Sequence, residues 1–468
     1  MFFKKAKRVM AGICVWSMLF TSIDQSAIVA LAAEDTSVVA DVAGNKEVPE
    51  EIPVAEDSDF TEMTEVKGTS DGGSNIQGNG YTFDAATGTL TFDADVVGIV
   101  DNAFPYPKDG DEFLAAIKTI QFEEGAVVKI IGIKAFCGLP NLEKLDLSNC
   151  SKLTTIRSEA FSGCAKLGEI KFPAELQEIG NKAFYGCKEI ETLTLPPGLI
   201  NIENNAFDGC VKLSTVIVGE NIPKCGTNIF KDCAIENIQF TSNNTVVPAN
   251  LFNGATFADG ARIVIPYFIQ EIGEGAFNGC KTLKSVTFED TQVNPSALAS
   301  IAKNAFNNCK TLASVTFPDS VKVIEEGAYT NCKALTALVI PNTVTVLGKA
   351  AFKGCIGIEN LTISNAISSL GESVFEECSS LTVVEIPSGI EMISASMFKK
   401  CTRLGTVTVP TTVKTVGNSA FEGCEKLSTI VLPDTVTTVG NTVFKGCIRL
   451  ENPTMPKDLE VYGDSLFE

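Results

Sequence analysis

Cysteine is the chemically capable residue that this sequence places most regularly, with sixteen copies in 468 residues, while histidine is absent. A chain without imidazole has no Ser-His-Asp or Cys-His nucleophile and no His-ligated metal site. Acidic pairs such as Asp93 and Asp95 read as solvated turn residues rather than as a general acid and base. No glycine-rich phosphate loop is present. The expectation is a chain that is not an enzyme and carries no cofactor and no metal.

Twelve of the cysteines fall three residues after an aromatic: Cys164, Cys187, Cys210, Cys233, Cys280, Cys309, Cys332, Cys355, Cys378, Cys401, Cys424 and Cys447. In an exported protein so many thiols would ordinarily point to disulfides. Their period points elsewhere. Residues in one slot of successive repeats face the same way, so they form a column of small, weakly polar side chains. Neighbouring repeats come near the Cα separation that a disulfide spans, so distance leaves bridges open. A metal site is the third alternative, and no Cys-x-x-Cys supports it. The reading is a ladder of free buried thiols. Cys137, Cys150 and Cys225 lie outside the slot, and the first two, thirteen residues apart, are candidates for a bridge.

The elements that position these thiols are repeats. Aromatics recur at Phe136, Phe161, Phe184, Phe207, Phe230, Phe252, Phe277, Phe306, Tyr329, Phe352, Phe375, Phe398, Phe421, Phe444 and Phe467, with seven consecutive spacings of 23 at the end. Phe104 is a degenerate first copy. A fixed period of this size means stacked coils rather than several globular domains. Within one unit, Leu335 to Pro341 is a short β-rich run stopped by proline, Val344, Val346 and Leu347 follow, and Ala350-Ala351-Phe352-Lys353-Gly354-Cys355 closes the coil. The closure is expected to be a single helical turn reversed at Gly354. Parallel strands from successive coils would stack ~4.8 Å apart. The Phe and Cys columns, including Phe161, Phe184, Phe207, Phe352, Phe375, Phe398, Phe421 and Phe444, are assigned to the core.

These residues resemble the BspA-like, or treponemal-type, leucine-rich repeats of bacterial surface proteins. The pattern is plain at Leu427-Ser428-Thr429-Ile430-Val431-Leu432-Pro433, Val436-Thr437-Thr438-Val439-Gly440 and Val443-Phe444-Lys445-Gly446-Cys447. It covers roughly residues 115 to 468. The fold class expected is a repeat solenoid of α/β type. It is a leucine-rich-repeat horseshoe with a parallel β-sheet on one face, short helical turns and loops on the other, and an N-terminal β-hairpin cap. The resemblance implies a secreted or cell-surface bacterial protein that binds host proteins or other cells. It supplies no catalytic residue.

Four regions are expected. Residues 1–33 read as a signal peptide: Lys4, Lys5, Lys7 and Arg8 precede an apolar run from Val9 to about Phe20, and Ala30-Leu31-Ala32-Ala33 offers small residues for cleavage. Residues 34–75 read as an acidic disordered linker, with eleven carboxylates from Glu34 through Glu65 against Lys46 and Lys67. Residues 76–112 hold a capping hairpin around Asp84-Ala85-Ala86-Thr87-Gly88. The repeat array occupies 113–468, interrupted around 241–300, and no sorting motif or basic tail follows. The sequence stops inside a repeat, so it reads either as ending on a frayed coil or as part of a longer multidomain protein.

The net charge of −20 argues against nucleic acid and against anionic membrane as partners. No segment of the mature chain is long and apolar enough to span a bilayer. Function is therefore expected at the strand positions that face outward. Early coils carry charge there, at Glu143, Lys144, Asp146, Glu169, Lys171 and Glu191. Later coils carry Thr316, Thr336, Val339, Thr362, Val383, Thr406, Thr408 and Val431. Good strand-forming residues need no function to be there, yet an extended, weakly charged surface also fits an extracellular protein or glycan partner. The interruption, with Thr241-Ser242-Asn243-Asn244-Thr245 and Glu289 to Ala299, adds Asn243 and Asn244 as candidate contacts. The function expected is a secreted or surface adhesin, with a ligand-free structural scaffold as the alternative.

Overall fold

The computed structural model describes residues 76–78, 80–104, 111–220, 222–451 and 453–467. The export signal read at 1–33 and the linker read at 34–75 lie outside the described residues.

The repeats begin from a hairpin. Strand β1 (Ile76–Gly78) pairs antiparallel with β2 (Tyr81–Asp84), and β2 pairs antiparallel with β3 (Thr89–Phe92). The β2–β3 turn is closed by Gly88 N–H donating to Asp84 O at 2.8 Å and by Ala86 N–H donating to the Asp84 carboxylate at 2.9 Å. Gly88 has φ 71°, and a Cβ there would stand 2.5 Å from Ala116 O, so both conformation and space require glycine. Strand β3 then pairs in parallel with Thr119–Phe122 and passes the sheet to the array. Tyr81 and Phe92 pack against Phe104, and Phe83 packs against Phe113. The hairpin thus covers the apolar interior of the first coil.

Most later coils contribute two short strands, each to one of two parallel ladders that are broken at a few steps. The first is the expected outward strand, as where Ala337–Val339 pairs in register with Asn360–Thr362. The second is built from the Val-x-x-Ile segment, which the sequence presents only as a turn. Val346–Leu347 pairs with Val323–Ile324 on one side and Ser369–Leu370 on the other. The partners in both ladders are one repeat apart, so the sequence period is also the register.

The coil closure differs from expectation. The stretch around Ala351-Phe352 is not a helical turn, and the one helix among the described residues is Glu112–Ala116. The cause is backbone chemistry. Ala350 and Gly354, two residues on either side of Phe352, have φ 55° and 71°, which interrupts helical dihedrals. Ala350, Phe352 and Gly354 then donate their N–H groups to Glu372 O, Val374 O and Glu376 O of the next coil, at 2.8, 3.0 and 2.7 Å. The same trio recurs at Glu159, Phe161 and Gly163, which donate to Asn181, Ala183 and Tyr185. The turn therefore satisfies its backbone between coils instead of within one.

Inside the coils the aromatic residues form one stack. Phe161 and Phe184 are 5.3 Å apart between ring centroids with 5° between planes, and Phe184 and Phe207 are 5.2 Å apart at 3°. The stack runs on through Phe277, Phe306, Tyr329 and Phe352 to Phe444 and Phe467. Each buried ring contributes ~1.5–3 kcal/mol. Tyr329 is the exception in type. Its ring stacks like the others, but its hydroxyl is buried without a hydrogen-bond partner.

Two substitutions in this column test its energetics through denaturant midpoints. Phe421→Ala removes a ring held between Phe398 and Phe444 at 5.7 and 5.8 Å. It should cost ~3–5 kcal/mol; an unchanged midpoint would mean the column is not the core. Tyr329→Phe should raise stability by ~1–3 kcal/mol, because it deletes an unsatisfied buried hydroxyl and keeps the ring. A lower midpoint for that variant would contradict the assignment.

Candidate functional site

The repeat offers two columns where chemistry could reside, one inside and one outside. The inner column is sulfur. All twelve slot cysteines are buried and free. Each thiol donates to the backbone carbonyl of the aromatic residue in the preceding coil, as in Cys164 to Phe136 O at 3.1 Å, Cys187 to Phe161 O at 3.3 Å and Cys210 to Phe184 O at 3.4 Å. The pattern continues unbroken through Cys233, Cys280, Cys309, Cys332, Cys355, Cys378, Cys401, Cys424 and Cys447. Cysteine suits this slot because it is small and apolar in bulk yet carries a weak donor. Burial pushes Cys164 and Cys233 up to about 12 and moves Cys187, Cys355 and Cys378 well upward too. Such thiols stay protonated and are poor nucleophiles. Outside the slot, Cys150 is buried, Cys137 and Cys225 are partly exposed, and all three are free.

The outer column is the open sheet. Successive strands present two outward positions per coil. In the first full coils these are charged and paired with one another, Lys144 with Glu169 and Lys171 with Asp146, both at 3.2 Å. From Thr192/Thr194 onward the character changes, with Arg262 the one charge among the outward pairs before Ser285. From there on the outward pairs read Ser285/Thr287, Ser314/Thr316, Ala337/Val339, Asn360/Thr362, Val383/Glu385, Thr406/Thr408 and Thr429/Val431, and all but the half-buried Ser285 are exposed. Glu385 is the single charge among them. Thr336, just before the Ala337–Val339 strand, is also exposed. Thr316, Val339, Thr362, Thr406 and Thr408 are thus exposed at outward positions of successive coils, with Val339 62% exposed.

The interruption flanks that strip. The extra residues bulge between Val286–Phe288 and Ser300–Ile301, while the second ladder runs through unbroken, Ser300 pairing with Glu271 and with Val323. The bulge is pinned. Thr291 and Asn294 bond reciprocally, Ser296 N–H donates to Asp290, and Ala297 N–H donates to Tyr267 O at 2.7 Å. Its tip, Val293, is 87% exposed.

One expected contact is a correction. Asn243 is exposed, but Asn244 is fully buried. Its side-chain amide donates to Val218 O at 2.9 Å and to Thr241 Oγ1 at 3.3 Å. It staples the turn after one strand to the end of the preceding one, as Asn149 does to Phe122 O. A second feature had no sequence signal. A polar cavity of ≈ 300 Å³ opens beside Thr91, Gln121, Glu123, Asp146 and Ser148 near the hairpin end. Several of its groups are already satisfied internally, Gln121 by Thr91 and Ser148 by Asp146.

A family model described as BspA type leucine rich repeat region, in six copies, matches residues 129–258, 259–382, 299–427 and 391–468. The chain belongs to the BspA-type leucine-rich repeat family. No curated protein matches it. Among solved structures it is similar to a leucine-rich repeat protein from Bacteroides ovatus, at 25% identity over 85% of this chain and 91% of that one, with a TM-score of 0.46. It is also similar to a leucine-rich repeat protein from Eubacterium ventriosum, at 22% identity over 84% and 98%, TM-score 0.42. A third is a leucine rich cell surface protein from Faecalibacterium prausnitzii, at 21% identity over 82% and 96%, TM-score 0.37.

In this BspA-type array the Ala-Phe-x-Gly-Cys closure is consumed by structure: ring and thiol inside, glycine in the turn. Its thiols also set a pH response. In the unfolded chain they titrate near the ordinary value of about 8.5. In the folded chain burial raises most of the thiols, to about 12 for Cys150, Cys164, Cys225 and Cys233. Below about pH 8.5 both states keep the protons and the full stabilisation is present. Above it the unfolded state loses protons the folded state retains, so stability falls by up to ~1.4 kcal/mol per pH unit for each such thiol, until the folded values are passed. Denaturant midpoints measured at rising pH should be level below about pH 8 and drop steeply above about pH 9. A level line above about pH 9 would show that the thiols are not buried.

Proposed function

We propose that this chain is a secreted or cell-surface bacterial binding protein, an adhesin that holds an extracellular protein or glycan on the open sheet between Ser285 and Val431. The observation that carries the reading is the charge distribution. In a chain of net charge −20, seven consecutive coils present a surface of hydroxyl, methyl and amide groups with Glu385 as its one carboxylate. Random acidic solubilisation would scatter carboxylates there as it does in the first coils. A contiguous, weakly charged, partly apolar strip is what a binding face requires, because its desolvation is cheap. The pinned bulge with Val293 at its tip stands at one end of the strip and supplies a border that fixes where a partner sits.

Export fits the basic and apolar N-terminal sequence, and no helix among the described residues is long and apolar enough to cross a membrane. No step of the reading needs catalysis, a cofactor or nucleic acid.

The test is capture on a glycan array and on a panel of extracellular proteins, followed by variants. Val339→Glu combined with Thr408→Glu places charge mid-strip without touching the core. It should weaken the captured ligand on the order of tenfold or more. Removal of Thr291–Ala299 should also weaken it, whereas Lys144→Ser, in the charged coils, should not. Binding indifferent to both strip and bulge, or no specific capture at all, would leave the chain as a surface scaffold.

A further inference from the structure

The first coils of the strip have a cationic border. Lys281, Lys310 and Lys333 hold the same place in three consecutive coils, one residue after Cys280, Cys309 and Cys332, and all three are exposed. Each stands four residues before an outward pair, Ser285/Thr287, Ser314/Thr316 or Ala337/Val339, which is at most ~14 Å of chain. The coils are in contact at this turn, where Thr311 Oγ1 lies 2.7 Å from Lys281 O and 2.9 Å from Leu283 O. Arg262, exposed in the coil that pairs with Val286–Phe288, adds a fourth cation. Other lysines of these coils are neutralised from one coil to the next: Lys284 by Asp259, Lys303 by Glu326, Lys349 by Glu372 and Lys353 by Glu376. Among the described residues, Arg262 and the three lysines of the row have no such partner. The carboxylates at the other end of the first strand are engaged within the bulge, Glu289 by Tyr267 N–H at 3.3 Å and Asp290 by Ser296 N–H at 3.0 Å. The net charge of −20 does not cancel the row, because charges more than ~8 Å away are largely screened at physiological ionic strength.

We propose that the first three coils of the strip, Ser285 to Val339, hold a sulfated glycan chain laid along the solenoid axis. Its sulfate esters face Lys281, Lys310 and Lys333, and its sugar hydroxyls face Ser314 and Thr316. The inference rests on the strip being a binding face and names the ligand of that face. Coil steps of ~4.8 Å make the lysines a line of charge, which suits an anionic polymer better than a single anion. A polymer that reaches several rungs of the row also gains from each one it adds. Lysine is a point charge with rotatable donors and fits the three terminal oxygens of a sulfate ester. A planar carboxylate is better matched by the fork of an arginine. The side chains of Ser314 and Thr316 make no hydrogen bond within the described chain, so both are free to donate to and accept from a sugar hydroxyl.

Binding of the full chain to four probes tests this. Dextran sulfate, carboxymethyl dextran and plain dextran share one backbone and separate sulfate from carboxylate and from uncharged sugar, and polyglutamate represents an acidic peptide. Dextran sulfate should bind, and the other three should bind at least about tenfold more weakly. Lys281→Gln, Lys310→Gln and Lys333→Gln together should weaken dextran sulfate on the order of tenfold or more and flatten its salt dependence. A control triple, Lys152→Gln, Lys188→Gln and Lys426→Gln, makes the same change in net charge at exposed lysines elsewhere and should leave binding nearly unchanged. Equal loss in both triples, or equal binding of carboxymethyl dextran, plain dextran or polyglutamate, would overturn the proposal. No binding of dextran sulfate would also overturn it, and would leave the strip to be judged on its own captured ligand. Binding that the first triple abolishes and Val339→Glu leaves intact would do the reverse: the lysine row would stand as a site, and the reading of the strip would fall.

Discussion

The structure depends on keeping one aromatic ring per coil stacked on the next. Ring centroids 5 to 6 Å apart fix the separation of coils near the spacing that parallel strands need, so the ladders and the stack enforce the same step. Around each ring the backbone is tied to both neighbours. The N–H of the aromatic residue donates forward to the next coil, and its carbonyl accepts the cysteine thiol of that same coil. A change in register would break the stack, the thiol bonds and both ladders together. That shared penalty explains why such short strands, often two or three residues, form at all.

What the sequence made legible follows from which interactions repeat in side-chain type. Phe and Cys recur as letters, so the period, the core and the thiol column could be read directly. The outward strand was visible through alternation. The second ladder was not, because Val346–Leu347 and its relatives are only two residues long and carry no alternation to count. The closure was misjudged for a related reason. Its left-handed position two residues before the aromatic is filled by Lys182, Asn205, Ala350, Ser373 or Thr442 as readily as by Gly275 or Gly327, so no recurring glycine announces it. Asn244 falls where polar residues usually face solvent, yet its amide turns inward to cap Val218 O. The polar cavity near the hairpin draws on residues from three different strands and has no linear signature.

Interior and exterior have separate duties here. The residues that define the repeat are committed to holding it, and the free choice lies at the outward pairs and in the bulge. Ion pairs one coil apart, such as Lys353 with Glu376 and Lys399 with Glu422 at 2.9 Å, line the closure side and add little stability each. They still favour like register from coil to coil. The low charge of the outward pairs from Thr192 onward is therefore a property of one face and not of those coils as a whole, and it is the ground on which that face is proposed for binding.

Native-state hydrogen exchange across the full chain tests the shared-register account most directly. If the ring stack and its surrounding bonds hold the coils as one unit, the forward-donating amides of the closures, such as Phe352 and Gly354, should exchange as slowly as those of the outward strands in the same coil. Protection should then fall off together toward the last coil. Fast exchange at the closures beside protected strands would show that the sheet stands without the stack, and would contradict the account.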